Sequence, residues 1–171
     1  TRAVVRDLRA GALAEGVRAT LLMIGAGDGL AEARRTAQQL HLNGSLTLAG
    51  HMGADHYAPL LAGADVGVAP YCRWPEFSGL KILDYKAAGL ATIASGQNGQ
   101  PPTLSDGRTG VIVPPCDVDA LRRAIVRLCL DHASIRRMGQ AARVEAETMH
   151  GWEHTAERVE QVLSRVCEKA A

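Results

Sequence analysis

Residues 62–89 read AGADVGVAPYCRWPEFSGLKILDYKAAG. Within them Asp65–Pro70 (DVGVAP) is a short apolar run closed by Asp and Pro. It lacks the strict alternation of a half-exposed strand, so it predicts a strand buried on both faces. Helical spacing follows, with Leu80, Leu83, Ala87 and Ala88 predicted to form one apolar face. A buried strand that feeds a helix is the building unit of a parallel α/β sheet.

The same reading extends in both directions. Thr20–Gly25 (TLLMIG), Ser45–Gly50 (SLTLAG), Ala91–Ser95 (ATIAS) and Gly110–Pro114 (GVIVP) are further short apolar runs bounded by turn formers. Between them, Leu30, Ala33, Ala37 and Leu40 share one helical face, and Tyr57, Leu60, Leu61 and Ala64 another. Strand alternating with helix implies right-handed crossovers. The expected fold is α/β: a three-layer Rossmann-like domain with a mostly parallel sheet. A helix carrying Val4, Val5, Leu8 and Ala12 opens the chain, which implies that a preceding strand is absent. After Pro114 only helices are expected. Asp117 is an N-cap for one bearing Leu121, Ala124, Ile125, Leu128 and Cys129 on one face. A second carries Ile135, Met138, Ala142 and Met149, and a third Trp152, Ala156, Val159, Leu163 and Val166.

A chain of 171 residues fits a single domain. Its 19 Lys and Arg against 18 Asp and Glu leave a net charge of +1, which argues against nucleic acid as a partner. Aromatic residues are only 4%, so the core must be aliphatic. No apolar run approaches the ~20 residues of a membrane span. Cys72, Cys116, Cys129 and Cys167 lie far apart without a CxxC pair, which predicts four reduced thiols in a cytoplasmic protein and no zinc site. The first residue is Thr1 rather than Met, so the chain reads as a piece of a longer protein.

Two segments could carry chemistry. Gly25-Ala26-Gly27-Asp28-Gly29 lies between a strand and a helix, where glycine lets a ligand approach the backbone. Its third glycine falls too early for a dinucleotide fingerprint, which disfavours a nicotinamide or flavin cofactor. The second segment starts at Glu76 in the loop after a strand, where open parallel sheets bind ligands. Ser78, Gly79 and Leu80 fall at a helix start that could hold phosphate, and Asp84 lies eight residues beyond Glu76. Two acids flanking an anion site suit a sugar diphosphate; the same spacing also fits a solvated loop acid and an exposed helix acid.

Several blocks, in order, resemble the C-terminal, donor-binding domain of the retaining GT-B (group 1) glycosyltransferase family. Leu22–Gly27 (LMIGAG) resembles the family's strand ending in G-x-G, and Leu46–Gly50 its "F-L-G" strand. Ala62–Pro70 is similar to A-A-A-D-V-F-V-x-P, Glu76 to Asp84 to the E-x7-E motif, and Tyr85–Gly89 to Y-M-A-A-G. Asp106–Gly110 (DGRTG), with Val113-Pro114-Pro115, resembles D-G-x-T-G-x-x-V-P-P, and Trp152 the tryptophan that opens the last helix.

The resemblance implies transfer of a hexosyl group from a nucleotide-diphosphate sugar to an acceptor, with retention of configuration. It implies that Glu76 is catalytic and contacts the donor hexose, and that Asp84 binds the ribose hydroxyls. The backbone around Ser78, Gly79 and Leu80 would meet the distal phosphate, with Lys81 and Arg73 as nearby cations. Gly25 and Gly27 would line the donor site, and His51 and Met52 would lie near the nucleobase. It implies no metal or other cofactor beyond the donor substrate. The acceptor, a saccharide, lipid or small molecule, would be held by an N-terminal domain absent here. Cytoplasmic location, peripheral contact of the full-length protein with the inner membrane face, and bacterial-type cell-surface polysaccharide synthesis belong to the same expectation, as does inactivity of the isolated domain. Three features depart from the pattern. Asp84 is one methylene shorter than the usual Glu, Pro102 stands where Glu is frequent, and no Gly-Arg…Lys block precedes Val4. Two rival readings are a non-catalytic nucleotide-sugar-binding or interaction module, and a sugar-nucleotide epimerase of similar fold.

Overall fold

The computed structural model describes residues 19–42, 44–72, 79–97 and 101–170. The helix expected around Val4 to Ala12 lies outside them. Five strands form where the apolar runs predict: β1 (Leu21–Ile24), β2 (Leu46–Gly50), β3 (Val66–Ala69), β4 (Ala91–Ser95) and β5 (Gly110–Val113). Helices α1 (Gly29–Gln39), α2 (Ala54–Ala62) and α3 (Leu80–Ala87) alternate with the first four. α4 (Val118–Leu130), α5 (His132–Met149) and α6 (Trp152–Ala170) follow the last. All strand pairing is parallel. It forms two ladders, β1-β2 and β3-β4-β5, without hydrogen bonds between the ladders among the described residues.

β4 shows why the runs are continuously apolar. Every residue of it is buried. Ala91 and Ile93 pack with Leu121, Ile125 and Leu128 of α4 and with Ile135 and Met138 of α5. Ala94 packs instead with Ile82 of α3 and Leu104. Successive side chains thus serve opposite layers, and a fully buried Ile93 or Leu128 contributes about 2 kcal/mol. The Asp117 cap forms as expected, its Oδ1 accepting from Ala120 N at 2.8 Å. α5 starts the same way, with Asp131 Oδ1 accepting from Ser134 N at 2.9 Å. α5 crosses the turn after α3 so closely that a Cβ at Gly139 would collide with the Gly89 carbonyl oxygen.

Two expectations are corrected. On α3 the buried residues are Ile82 and Lys86, whereas Leu80 is 71% exposed and Ala87 is exposed. The core-facing side of α3 therefore includes a lysine, which finds polar partners inside. The apolar stripe of α6 is exposed along Trp152, Val159, Leu163 and Val166. Cys72 and Cys116 are joined as a disulfide with a Cα–Cα separation of 4.6 Å, so only Cys129 and Cys167 are free thiols. The fold brings the start of the loop after β3 beside the start of α4, a proximity invisible in a sequence separation of 44.

Candidate functional site

The carboxyl ends of β1 and β2 are tied together by one hydrogen bond. Gly25 N–H donates to the Gly50 carbonyl at 2.8 Å. Gly25 and Gly27 adopt φ of +145° and +141°, a region side chains other than glycine's rarely enter, and no atom lies within 4 Å of where a Cβ would stand. The turn is thus shaped by its glycines and leaves open space beside them. The Gly25–Gly50 bond brings it next to the segment that follows β2, which begins with exposed His51 and half-buried Met52.

Ten residues separate α3 from the end of β3. Gly79 caps it without a side chain, and its carbonyl accepts from Ile82 N and Leu83 N. First-turn N–H groups have no intrahelical partner and carry the positive end of the helix dipole. Leu80 turns its side chain to solvent, so only its backbone can serve a ligand there. Lys81 Nζ stands 4.8 Å over the Tyr71 ring just past β3, a cation–π contact that holds the ammonium at the helix start.

Asp84 lies on the next turn of α3, half-buried. Tyr57 Oη, from α2, donates to its Oδ2 at 3.3 Å. The Asp84 carboxylate, and secondarily burial, raise the Tyr57 phenol above its ordinary value, because a phenolate would face a like charge. Tyr57 was legible in the sequence only as part of an apolar face. Neither it nor Tyr71 could be assigned to the site from spacing, since their partners lie on other elements. Glu76, Ser78 and Arg73 lie outside the described residues.

Beneath α3 lies a polar core. Lys86, fully buried, donates from Nζ to Glu145 Oε2 at 2.6 Å and to the Thr103 carbonyl at 2.9 Å, and His150 Nε2 lies 3.1 Å away. Arg108 approaches the other Glu145 oxygen at 3.3 Å. Burial, then the Lys86 charge, hold the His150 imidazole below its ordinary value, so its Nε2 accepts from the ammonium. This network anchors α3 to α5 and to the loop before β5. In that loop Asp106 Oδ1 accepts from Ile112 N at 2.8 Å, and the Thr109 hydroxyl accepts from Ser105 N at 2.9 Å. The DGRTG block thereby shapes the entry into β5.

The site therefore combines an anion-attracting helix start, a nearby ammonium and a carboxylate–phenol pair suited to hydroxyl groups. Among the described residues no group of three or more His, Cys, Asp or Glu could hold a metal ion, and no helix is long and apolar enough to cross a membrane.

Residues 2–131 match the sequence profile of the family "Glycosyl transferases group 1". The chain belongs to the group 1 glycosyltransferases. This glycosyltransferase chain is 28% identical over 151 residues to the GDP-mannose-dependent alpha-(1-6)-phosphatidylinositol monomannoside mannosyltransferase of Mycobacterium tuberculosis, an alignment covering 85% of the chain and 39% of the relative. It superposes on sucrose-phosphate synthase from Thermosynechococcus elongatus with a TM-score of 0.77 and 31% identity, covering 99% of the chain and 43% of that protein. Anabaena HepE in complex with UDP matches with a TM-score of 0.78 over 95% of the chain and 44% of HepE; at 18% identity this shows the shared fold. The fold is the Rossmann-like kind found in GT-B glycosyltransferases. The glycosyltransferase chain spans less than half the length of each of these three proteins.

Proposed function

We propose that this chain is the C-terminal, donor-binding domain of a retaining glycosyltransferase, which moves a hexosyl group from a nucleoside-diphosphate sugar to an acceptor. The observation that carries the reading is the position of Asp84. It is a half-buried acid one turn into the helix after β3, held by Tyr57 and adjacent to a helix start with a fixed ammonium. In this reading Asp84 accepts hydrogen bonds from the ribose hydroxyls. The first-turn N–H groups after Gly79, with Lys81, meet the diphosphate and stabilise the charge it gains as it leaves. Gly25 and Gly27 leave room for the donor, His51 and Met52 flank the base, and Glu76 contacts the hexose. The bond from the anomeric carbon to the diphosphate oxygen breaks, a bond to the acceptor oxygen forms on the same face, and the acceptor hydroxyl's proton passes to the departing diphosphate. The Mycobacterium relative depends on GDP-mannose and HepE is complexed with UDP, so both bases belong in the test. The acceptor, cytoplasmic location and any contact with the inner membrane face belong to the whole protein, and the isolated chain transfers little.

Isothermal titration with UDP, GDP, UDP-glucose and GDP-mannose tests the reading. At least one binds the wild type, and Asp84→Ala weakens that binding about ten-fold or more, the scale of hydrogen bonds to a charged group. No heat with any of the four would sink the site. NMR of the product anomer, with full-length protein and acceptor, tests retention.

A further inference from the structure

The hydrogen bond between Tyr57 and Asp84 joins residues 27 positions apart and is the direct tie between α2 and the acid on α3. An ionised carboxylate only accepts, and it offers about four lone-pair directions. Tyr57 occupies one on Oδ2, which limits rotation of the short Asp84 side chain and leaves Oδ1 with the remaining Oδ2 direction toward a ligand. The phenol oxygen keeps its own lone pairs, so it can accept while it donates. Two acceptor oxygens from two half-buried residues on two helices thus stand 3.3 Å apart. A vicinal diol presents two hydroxyl donors side by side, and such a pair of fixed acceptors complements it. A single carboxylate free to rotate would bind the same diol with a greater loss of side-chain entropy. The phenol remains protonated at neutral pH because a phenolate would face the carboxylate, so the arrangement persists across the working range.

We infer that Tyr57 is a positioning and specificity residue: with Asp84 it forms a two-oxygen cradle for the ribose cis-diol of a nucleoside diphosphate. The inference rests on the donor-site reading above. It adds a residue that lies outside every motif block of the sequence, and a selectivity for ribose over deoxyribose that the pair enforces. Loss of the 2′-hydroxyl would leave one cradle oxygen desolvated without a donor, which is the usual origin of strong discrimination against an analogue lacking a group.

The test measures binding of UDP and GDP, and of their 2′-deoxy counterparts, to the full-length protein with wild-type sequence and with Tyr57→Phe. The wild type is expected to bind the ribonucleotide about ten-fold or more tightly than the deoxynucleotide. Tyr57→Phe keeps the ring and loses roughly ten-fold for the ribonucleotide but little for the deoxynucleotide, so the ratio falls toward one. In an Asp84→Ala background Tyr57→Phe changes the ratio no further. Binding of a ribonucleotide with an unchanged ratio in Tyr57→Phe, even if its thermal midpoint drops, would mean a purely structural tie and overturn this inference alone. Failure of the wild type to bind either ribonucleotide would overturn the donor-site reading and this inference with it.

Discussion

Replacing Lys86 with Met removes an ammonium that is fully buried and held by three partners. Met refills most of the alkyl volume, so the cavity contribution is small. What remains is electrostatic. Glu145, only 7% exposed, loses its 2.6 Å partner on Oε2, and the Thr103 carbonyl loses its donor. Removing one member of a buried ion pair costs about 3–5 kcal/mol. The Arg108 guanidinium still reaches the other Glu145 oxygen at 3.3 Å, which places the expected loss near the lower end, about 3 kcal/mol. In a domain of this size that corresponds to a drop of roughly 6–12 °C in thermal midpoint. Urea unfolding followed by circular dichroism reads the free energy directly. Adding Glu145→Leu removes the stranded carboxylate, so the double variant should recover much of the loss, with a coupling of about 2 kcal/mol between the two positions. A Lys86→Met loss below about 1 kcal/mol, or a double variant additive within about 0.5 kcal/mol, would show that the pair does not hold α3 in place.

Two further outcomes follow from the packing beneath the site. His150 has its folded value lowered, mainly by burial and then by Lys86, with Arg158 and His154 adding to the effect and Glu145 opposing it. The unfolded chain therefore binds the proton more readily. The stability contributed is complete above about pH 6.5 and is lost as pH falls below it; urea midpoints at pH 7.5 and 5.5 should differ less in His150→Gln than in the wild type. Gly139→Ala drives a Cβ into the Gly89 carbonyl, a backbone atom that cannot rotate away, and should lower the urea-unfolding free energy by about 1–3 kcal/mol.

The strand positions were legible because each is a local run of apolar residues between turn formers. Leu21–Ile24 and Ala91–Ser95 needed no knowledge of their neighbours to be placed. The Asp117 cap was equally local, since donor and acceptor lie three residues apart. The face of α3 departs from its local pattern for the opposite reason. Periodicity assigns apolar residues inward, and Lys86 turns inward only because Glu145, 59 residues away, and Thr103 meet it there. The exposed stripe of α6 carries the periodicity of a packed helix, and nothing in its own sequence says whether a neighbour covers it. The disulfide between Cys72 and Cys116 was hidden by the absence of any local cysteine pattern.

Local sequence is enough for the parallel α/β class, the element order and the presence of an acid at position 84 in a helix after a strand, because each depends on neighbours within a few residues. Tertiary structure alone decided that the Gly25 turn lies beside the end of β2, that Tyr57 reaches Asp84, and that a lysine forms the floor of α3. Those are pairings across 17 to 64 positions, and a hydrogen bond between distant residues exists only once the fold has brought both ends to one place.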